Sequence, residues 1–262
     1  MQMPYTPERS QMAVRLGYNS NITSTSRTIG INQFGISPGL SYYHKTGLYA
    51  DASSYWSQEY KPNLYLTVLS AGYMKFVTKR WSIVGEYSRY LYSGQGSNSS
   101  LPYVNNVGVS QFWFVKPVTF RLDYYFYFGQ KKAHRIMPGL MLNFEKRRWK
   151  KIDRIWFYPN FTVLFGSENV ITGYPFYPDY LQRYQLNQTL PPDKQLPLFY
   201  TTTKNVFGVM NYSFVAPLSI TRKKYTLLIS YTYNIPKSLP YEDLGLKAGG
   251  YVSFSVTRYI GF

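Results

Sequence analysis

The chain alternates between apolar and polar positions over most of its length. In the segment from Val118 to Phe128 every second side chain is apolar, whereas Arg121 and Asp123 lie on the other parity. Successive side chains of a β-strand point to opposite faces, so this pattern predicts strands with one apolar and one polar face. Sustained 3.6-residue periodicity is absent, and the sequence therefore predicts almost no helix.

Twelve segments of about ten residues show this pattern. The predicted strands are Gln11–Asn19, Phe34–Tyr43, Leu48–Trp56, Leu64–Phe76, Trp81–Leu91, Val107–Val115, Val118–Phe128, Ile136–Phe144, Ile155–Phe165, Val206–Phe214, Tyr225–Asn234 and Leu246–Phe262. Turn-forming residues separate the segments, as expected for an antiparallel all-β fold.

Short and long connections alternate between the predicted strands. Those after the even-numbered strands are short, as in HKTG from His44 and KP from Lys116, or compact and basic, as after Glu145 and Ala216. Most of those after odd-numbered strands are long and polar, and the longest has 37 residues, from Ser167 to Thr203. In an antiparallel meander all long connections then lie at one end, and both termini lie at the short-turn end.

Two architectures fit such strands. A soluble sandwich or lipocalin-like barrel buries the apolar face, whereas a membrane barrel turns it towards lipid. Twelve strands would require a second sheet or an overly wide lumen in the soluble case. The even strand count, the strand length, the alternation of connections and a predicted aromatic girdle favour the membrane barrel. The girdle tryptophans are Trp81, Trp113, Trp149 and Trp156.

The predicted fold class is therefore all-β, a transmembrane antiparallel up-and-down β-barrel of about twelve strands. Residues 1–262 form one domain. Residues 1–10 precede the first strand as an N-terminal segment at the short-turn end, and residues 167–203 form a long loop at the opposite end.

Composition narrows the chemistry. The chain of 262 residues contains 29 tyrosines and no cysteine, so disulfides and thiol chemistry are excluded. The longest strictly apolar run, Tyr124 to Phe128, is far too short for a transmembrane helix, and no leader-like segment opens the chain. The net charge of +17 would suit nucleic acid, but many of the basic residues lie in the gaps between strands, so no nucleic-acid partner is predicted.

The last strand resembles a known signature. Val252, Phe254, Val256, Ile260 and Phe262 alternate up to a terminal phenylalanine, and this ending is similar to that of bacterial outer-membrane β-barrel proteins. The resemblance implies recognition by the barrel-assembly machinery, residence in the outer membrane of a Gram-negative bacterium, periplasmic termini, and contact with outer-membrane lipids and lipopolysaccharide. The tyrosine-rich, cysteine-free composition is similar to that of barrels from Bacteroidota-type Gram-negatives.

One residue departs from this signature. Arg258 occupies a position of lipid-facing parity, where a charge costs up to a few kcal/mol unless it reaches the headgroups. The same segment predicts how the sheet closes, because the last strand must pair with the first to leave no unpaired backbone in lipid.

The polar parity yields candidates for the lumen. The candidates are Arg15, Asp51, Glu86, Arg121, Asp123, Asn143 and Glu145. They predict either a hydrated interior of paired charges or a selectivity ring in which Arg121 and its neighbours attract anions.

Enzymatic and metal sites have little support. The two histidines, His44 in a short turn and His134 beside a loop, are predicted at opposite ends, and no serine motif accompanies either. No catalytic residue, metal or cofactor is predicted.

The predicted function is a passive channel with a narrow charged lumen. The alternative is a non-conducting barrel subunit of an envelope protein complex, whose loops dock a partner or a surface glycan. A lipid-modifying enzyme is less favoured. In either of the first two cases the long loop provides the constriction or docking residues, which are Tyr174, Phe176, Tyr177, Tyr180 and Tyr184.

The basic residues at the strand ends admit two interpretations. Those in the short turns either contact lipid phosphates and acidic periplasmic partners or are simply solvated. Arg89, at the opposite end and on the lipid-facing parity, is a candidate contact for a lipopolysaccharide phosphate.

Overall fold

A computed structural model describes residues 7–21, 35–58, 61–93, 103–175, 179–242 and 244–261. The strands are β1 (Gln11–Asn19), β2 (Gly35–Tyr43), β3 (Leu48–Trp56), β4 (Leu64–Thr78), β5 (Trp81–Tyr92), β6 (Asn105–Val115), β7 (Val118–Phe128), β8 (Lys132–Leu142), β9 (Phe144–Trp149), β10 (Ile152–Phe157), β11 (Asn160–Pro175), β12 (Phe199–Arg222), β13 (Tyr225–Pro236) and β14 (Gly249–Gly261). The helices are α1 (Tyr180–Asn187) and a short 3-10 helix (Pro192–Lys194). Neither is long and apolar enough to cross a membrane, and the described ranges contain no other helix.

The fourteen segments form a closed barrel of twelve antiparallel strands. β8 and β9 are one strand interrupted at Asn143, and β10 and β11 are one strand interrupted at Tyr158 and Pro159. Each strand of the ring pairs with its neighbours, and β1 pairs with β14 from Gln11 opposite Gly261 to Asn19 opposite Ser253. The predicted pairing of the last strand with the first is thus present.

A proline explains one of the two interruptions. Pro159 has no N–H to donate to a neighbouring strand, so it tends to break a ladder. Its carbonyl still accepts a hydrogen bond from the N–H of Leu142 at 2.9 Å. The two strands therefore stay joined across the interruption.

Part of the long predicted loop is regular structure. β11 continues to Pro175 and β12 begins at Phe199, and the two pair as far as Pro175 opposite Phe199. Neither β8 nor β13 follows them over this length, because β8 pairs with β11 only up to Gly166 and β13 pairs with β12 only from Asn211. A two-stranded arm therefore extends beyond the barrel and carries α1 between its strands. Sequence periodicity missed the arm, because the predicted strands ended at Phe165 and began at Val206, and the residues between them were assigned to the loop.

At the other end of these strands, the short-turn end, the predicted strands were too short. The segment after Ala216, predicted as a turn, is strand up to Arg222. The segment from Glu145, also predicted as a connection, is the β9–β10 hairpin. β9 pairs only with β10 among the described strands, so this hairpin extends past the end of β7.

The distribution of polarity is the reverse of that in a soluble protein. Large apolar residues such as Leu16, Val109, Phe120 and Val256 are exposed on the outer face. The buried positions are dominated by polar side chains that face inward, including Ser41, Ser82, Ser110, Thr119, Asp123, Asn211, Ser230 and Thr257. An apolar outer surface around a polar interior is the arrangement of a membrane barrel.

The aromatic girdle is present in part. Trp81 and Trp113 lie opposite each other on the outer face of β5 and β6. Trp156 does not belong to it: this residue lies on the inward parity, buried, and its ring stacks on that of Tyr158 with centroids 4.0 Å apart. Phe144 and Phe157 stack on the outer side instead. The predicted girdle was therefore wrong for Trp156, and Trp149 likewise has the inward parity of β9, because parity depends on how each strand pairs with its neighbours.

Arg258 lies on the outer face of β14, between Val14 of β1 and Tyr225 of β13. Its guanidinium carbon is 5.8 Å from the centroid of the Tyr225 ring. Tyr225 follows the Lys223–Lys224 turn directly, so Arg258 lies next to the short-turn end, where a long side chain reaches headgroups. The departure from the alternating signature is thereby explained. Phe262 lies outside the described residues, and the assembly signal formed by Phe254, Val256, Ile260 and Phe262 stays a prediction.

The outer face provides the first test. Replacing the exposed Val109, in the middle of β6, by Arg should lower the free energy of unfolding in lipid vesicles by about 2–4 kcal/mol, because the charge faces hydrocarbon. Equilibrium unfolding in urea, followed by the loss of heat-modifiable migration in SDS gels, measures the effect. The control Ser255→Arg faces the lumen and should cost much less. Equal costs at both positions would contradict the assignment of the two faces.

Candidate functional site

The interior of the barrel contains paired charges. Arg15 on β1 lies 3.3 Å from Asp51 on β3 and donates to the Ser53 hydroxyl at 2.7 Å. Asp51 also accepts hydrogen bonds from Ser41 at 2.5 Å and from Ser53 at 2.6 Å. The Arg15 and Asp51 side chains are 29% and 21% exposed, so the pair borders an open space within the lumen.

A second pair lies on β7. Arg121 contacts Asp123, two residues further on the same face, at 2.6 Å, and its guanidinium carbon lies 5.5 Å from the centroid of the Phe112 ring. Asp123 is completely buried and Arg121 is 15% exposed. Removing one partner of a buried ion pair leaves an uncompensated charge, which destabilises the fold. The Arg121–Asp123 pair therefore stabilises the barrel wall and exposes little charge to the lumen.

A third pair was missed by sequence reasoning. Arg135 on β8 contacts Glu168 on β11 at 2.6 Å and donates to the Ser167 carbonyl. The other Glu168 oxygen accepts a hydrogen bond from the Tyr103 hydroxyl at 2.5 Å. Arg135 preceded the predicted start of its strand, and Glu168 lay in the predicted loop. Extending the alternation by one residue to Arg135 would have found the first of them.

The remaining predicted lumen residues lie in different places. Glu86 on β5 faces inward and accepts hydrogen bonds from Tyr49 at 2.6 Å and Ser88 at 3.2 Å. Asn143 lies at the break between β8 and β9 and donates to the Thr119 hydroxyl at 3.0 Å. Glu145 lies on the hairpin beyond the barrel, so the structure does not bring it together with the other lumen candidates.

Glu145 has its own local partners. It contacts Arg147 at 2.7 Å and Arg154 at 2.6 Å. Burial alone raises the pKa of its carboxyl, but the hydrogen bond from Arg147 and the charges of Arg154 and Arg147 outweigh this effect and lower the pKa. The carboxylate therefore stays ionised at neutral pH and holds the two strands of the hairpin together.

Positive charge is concentrated at the short turns and is balanced in the interior. The guanidinium groups of inward parity belong to Arg15, Arg121, Arg135, Arg147 and Arg154, and each contacts a carboxylate. The five turns at the short-turn end contain Lys45, Lys79, Arg80, Lys116, Lys150, Lys151, Lys223 and Lys224 and no acidic residue. The net charge of +17 is thus not a property of the lumen.

One wall of the lumen is rich in tyrosine. The inward-facing residues of this tyrosine wall, on β2, β3, β5 and β7, are Tyr43, Tyr49, Tyr90, Tyr92, Tyr125 and Tyr127. Ring centroids are 6.4 Å apart between Tyr90 and Tyr92, 6.4 Å between Tyr90 and Tyr127, and 6.3 Å between Tyr125 and Tyr127. Tyr43 and Tyr49 form a separate stack at 6.2 Å.

The opposite wall is composed mostly of small polar residues, with Tyr251 and Tyr259 towards the two ends of β14. β13 and β14 lie six strands away from β5 and β6 around the ring of twelve. The inward positions of this hydroxyl wall are Ser230, Thr232, Asn234, Ser253, Ser255 and Thr257. These side chains are short, and the space lies between a tyrosine-rich surface and a surface of hydroxyl and amide groups.

The long-loop end of the lumen is narrowed by the connection between β13 and β14. Leu239 of this connection is buried in an apolar cluster with Leu164, Val170, Val206 and Met210. Met210 is the extra residue of a β-bulge, since Leu164 lies opposite Asn211 and Phe165 opposite Val209. The inward face of the base of the arm is therefore covered by a loop that sequence analysis did not single out.

The predicted loop residues are dispersed. Tyr180 and Tyr184 lie on α1 with ring centroids 6.4 Å apart, and Tyr180 also contacts Phe199 at 5.7 Å. Tyr174 is the last residue but one of β11, whereas Phe176 and Tyr177 lie outside the described residues. α1 has no buried residue, and its Leu181, Tyr184 and Leu186 are exposed.

The histidines lie outside the lumen. His134 has the outward parity of β8, where its ring accepts or donates a hydrogen bond with the Tyr124 hydroxyl at 2.8 Å and lies 5.0 Å from the Phe126 ring. His44 contacts Thr46 in the turn between β2 and β3. No group of three potential metal ligands occurs among the residues that the structure describes.

Comparisons by sequence find no relative: no protein-family model matches the chain, and no curated protein is similar to it. Comparisons by structure find porins. The KdgM porin is 9% identical with a TM-score of 0.50, and the match covers 95% of this chain and 98% of that chain. The NanC porin is 12% identical with a TM-score of 0.46, over 94% and 98% of the two chains. Pseudomonas aeruginosa OprD is 10% identical with a TM-score of 0.37, over 96% and 67%.

At these sequence identities the similarity concerns the fold alone, and the matches with TM-scores below 0.5 add no further evidence. The match to the KdgM porin extends over nearly the whole of both chains. The chain therefore has the closed, twelve-stranded antiparallel barrel fold that this porin shares.

Proposed function

We propose that the protein is a passive outer-membrane channel with a narrow lumen lined by paired charges. One observation carries the proposal: the inward face of a closed barrel is polar and charged, and its ionic groups, such as Arg15 and Asp51, remain partly exposed to the interior space. An apolar outer face around a hydrated polar interior is what porins require. The porin fold is consistent with this function.

The location follows from the same features. An outer-membrane site is supported by the apolar outer band, the tryptophan pair Trp81 and Trp113, and the alternating last strand. The short basic turns and both termini would then lie on the periplasmic side, where the lysines contact lipid phosphates. The arm and the other long connections would face outward, and Arg89 with Asn105, 2.8 Å apart, would meet lipopolysaccharide.

An enzymatic role has no support in the described site. His134 faces outward, away from the lumen, and hydrogen-bonds to the Tyr124 hydroxyl.

The exposed tip of the arm favours a second function. Leu181 is 68% exposed, and Tyr184 and Leu186 are nearly half exposed on the same helix. Apolar residues exposed together on a projecting element are typical of docking surfaces. A barrel that anchors an envelope protein complex through this arm is therefore the alternative, and the two functions are not mutually exclusive.

Ion selectivity tests the channel. Replacing Arg15 by Gln leaves Asp51 without its cationic partner, so the reversal potential in a KCl gradient across a planar bilayer should shift towards cation selectivity. Asp51→Asn should shift it towards anions. The wild type should select cations weakly, because each inward arginine contacts a carboxylate and Glu86 adds one further negative charge.

Arg258→Gln is the matched control for this experiment, because it removes the same group from the outer face of the same barrel. It should leave selectivity unchanged. Absence of conductance after verified insertion would contradict the channel, and an equal shift from Arg258→Gln would contradict its lumenal origin.

Shortening the arm tests the docking function. Replacing residues 176–198 by an Asn-Gly turn joins Pro175 to Phe199, which already pair. Because α1 has no buried residue, the barrel should fold and conduct as before. Co-purification of a stoichiometric envelope partner should be lost, and the double substitution Leu181→Gln with Leu186→Gln should reproduce that loss. A changed conductance would assign the arm to the pore instead.

A further inference from the structure

Glycines allow two rings of the tyrosine wall to lie flat against the barrel. Tyr49 on β3 lies over Gly72 on β4, where an added Cβ would be 2.5 Å from the ring. Tyr125 on β7 lies over Gly108 on β6, where an added Cβ would clash with it. In both cases ring atoms pack against the backbone of the neighbouring strand. Tyr125 itself is buried there, whereas Tyr90 and Tyr127 beside it are partly exposed.

Two guanidinium groups lie on glycines in the same way. Arg15 covers Gly39 and Arg135 covers Gly166, with added Cβ atoms 2.8 Å and 2.7 Å from the respective side chains. These four side chains on different strands thus pack against the backbone of the barrel wall.

The tyrosines form a track, because ring contacts connect Tyr92 and Tyr90 to Tyr127 and Tyr125. Tyr103, beside the long-loop mouth, extends the track with a centroid distance of 6.0 Å to Tyr127. The inward carboxylate of Glu86 lies opposite Gly108 in the β5–β6 ladder and therefore borders Tyr125. A solute moving along the track passes from ring to ring with acceptors beside it.

This combination selects a chemical class. The face of an aromatic ring is electronegative and attracts the polarised C–H bonds of a sugar ring, while sugar hydroxyls need donors and acceptors nearby. Glu86 and the tyrosine hydroxyls of the track provide them, whereas a purely aromatic solute would make no use of these polar groups. Every inward guanidinium of the barrel wall contacts a carboxylate, and Glu86 adds a further negative charge, so the wall does not favour an acidic sugar.

We propose that the tyrosine wall is a binding track for neutral saccharides. Pyranose rings stack on Tyr90 and Tyr127, and their hydroxyls hydrogen-bond to Glu86 and to the tyrosine hydroxyls of the track. The inference rests on the proposed channel function, since the track leads through the lumen.

Blockade of single-channel current tests the track with defined probes: maltohexaose as the neutral saccharide and an alginate hexamer as an acidic one of equal length. Maltohexaose should block the current reversibly, and more strongly than the alginate hexamer. Tyr90→Ala and Tyr127→Ala should each weaken the block at least fivefold, as expected for the loss of one stacking ring. Tyr90→Phe keeps the ring and should change the block less than twofold. Tyr231→Ala, on the outer face, should have no effect.

Two glycine variants probe the flat geometry independently of the tyrosines. Gly108→Ala forces the Tyr125 ring off the wall and should lower both the conductance and the block. Gly85→Ala introduces the same methyl group where nothing lies within 4 Å, and should leave both unchanged. Heat-modifiable migration verifies folding of every variant.

The outcomes separate the two proposals. Conductance without maltohexaose block, stronger block by the alginate hexamer, or block insensitive to the tyrosines would overturn the saccharide track and leave the channel. Absence of conductance would overturn the channel, and calorimetric titration of the detergent-solubilised protein with maltohexaose would then decide the track. Binding that is lost in Tyr127→Ala would support it, and no binding would overturn it.

Discussion

Closure of the sheet is the constraint on which the rest of the molecule depends. A strand edge in hydrocarbon would leave backbone N–H and C=O groups without partners, and each unpaired group costs several kcal/mol. The nine residue pairs between β1 and β14 remove both edges. Once the ring is closed, each strand has an outer and an inner face, and the alternation of the sequence decides what each face contacts.

Closure also explains why the interior is built as it is. Twelve strands enclose a space that side chains do not fill as a hydrophobic core, so the inner face is polar, and its charges are held by partners such as Asp51 for Arg15 and Glu168 for Arg135. Planar side chains lie over the glycines of neighbouring strands, as Tyr125 does over Gly108. These contacts hold the side chains against the wall and stabilise it. The same packing leaves space beside them for the proposed passage of solutes.

The net charge of the protein does not show where its charged residues lie. The basic turns lie at one end and the balanced ion pairs lie inside. A barrel that selected strongly for anions would be expected to line its lumen with unpaired arginines, whereas the inward arginines here contact carboxylates. Most of the positive charge therefore lies at the short-turn end of the barrel, and the proposed recognition of a saccharide relies on stacking and hydrogen bonding.

The sequence by itself determined the barrel and most of its wall. β1, β3 and β7 begin and end where the alternation predicts, and the parity that predicts an inward Arg15, Asp51, Glu86, Arg121 and Asp123 is the one that the strand register gives them. This succeeded because a period of two is a local property of the chain, fixed by the geometry of a single strand.

Only the tertiary structure decided which of these residues meet. The Arg135–Glu168 pair joins positions 33 residues apart, and the arm, the bulge at Met210 and the inward Trp156 depend on the register of strands with their neighbours. Likewise, a tyrosine ring packs against a glycine only when the two residues lie opposite each other on adjacent strands. Register is set by closure of the whole ring, so no segment of the sequence contains it.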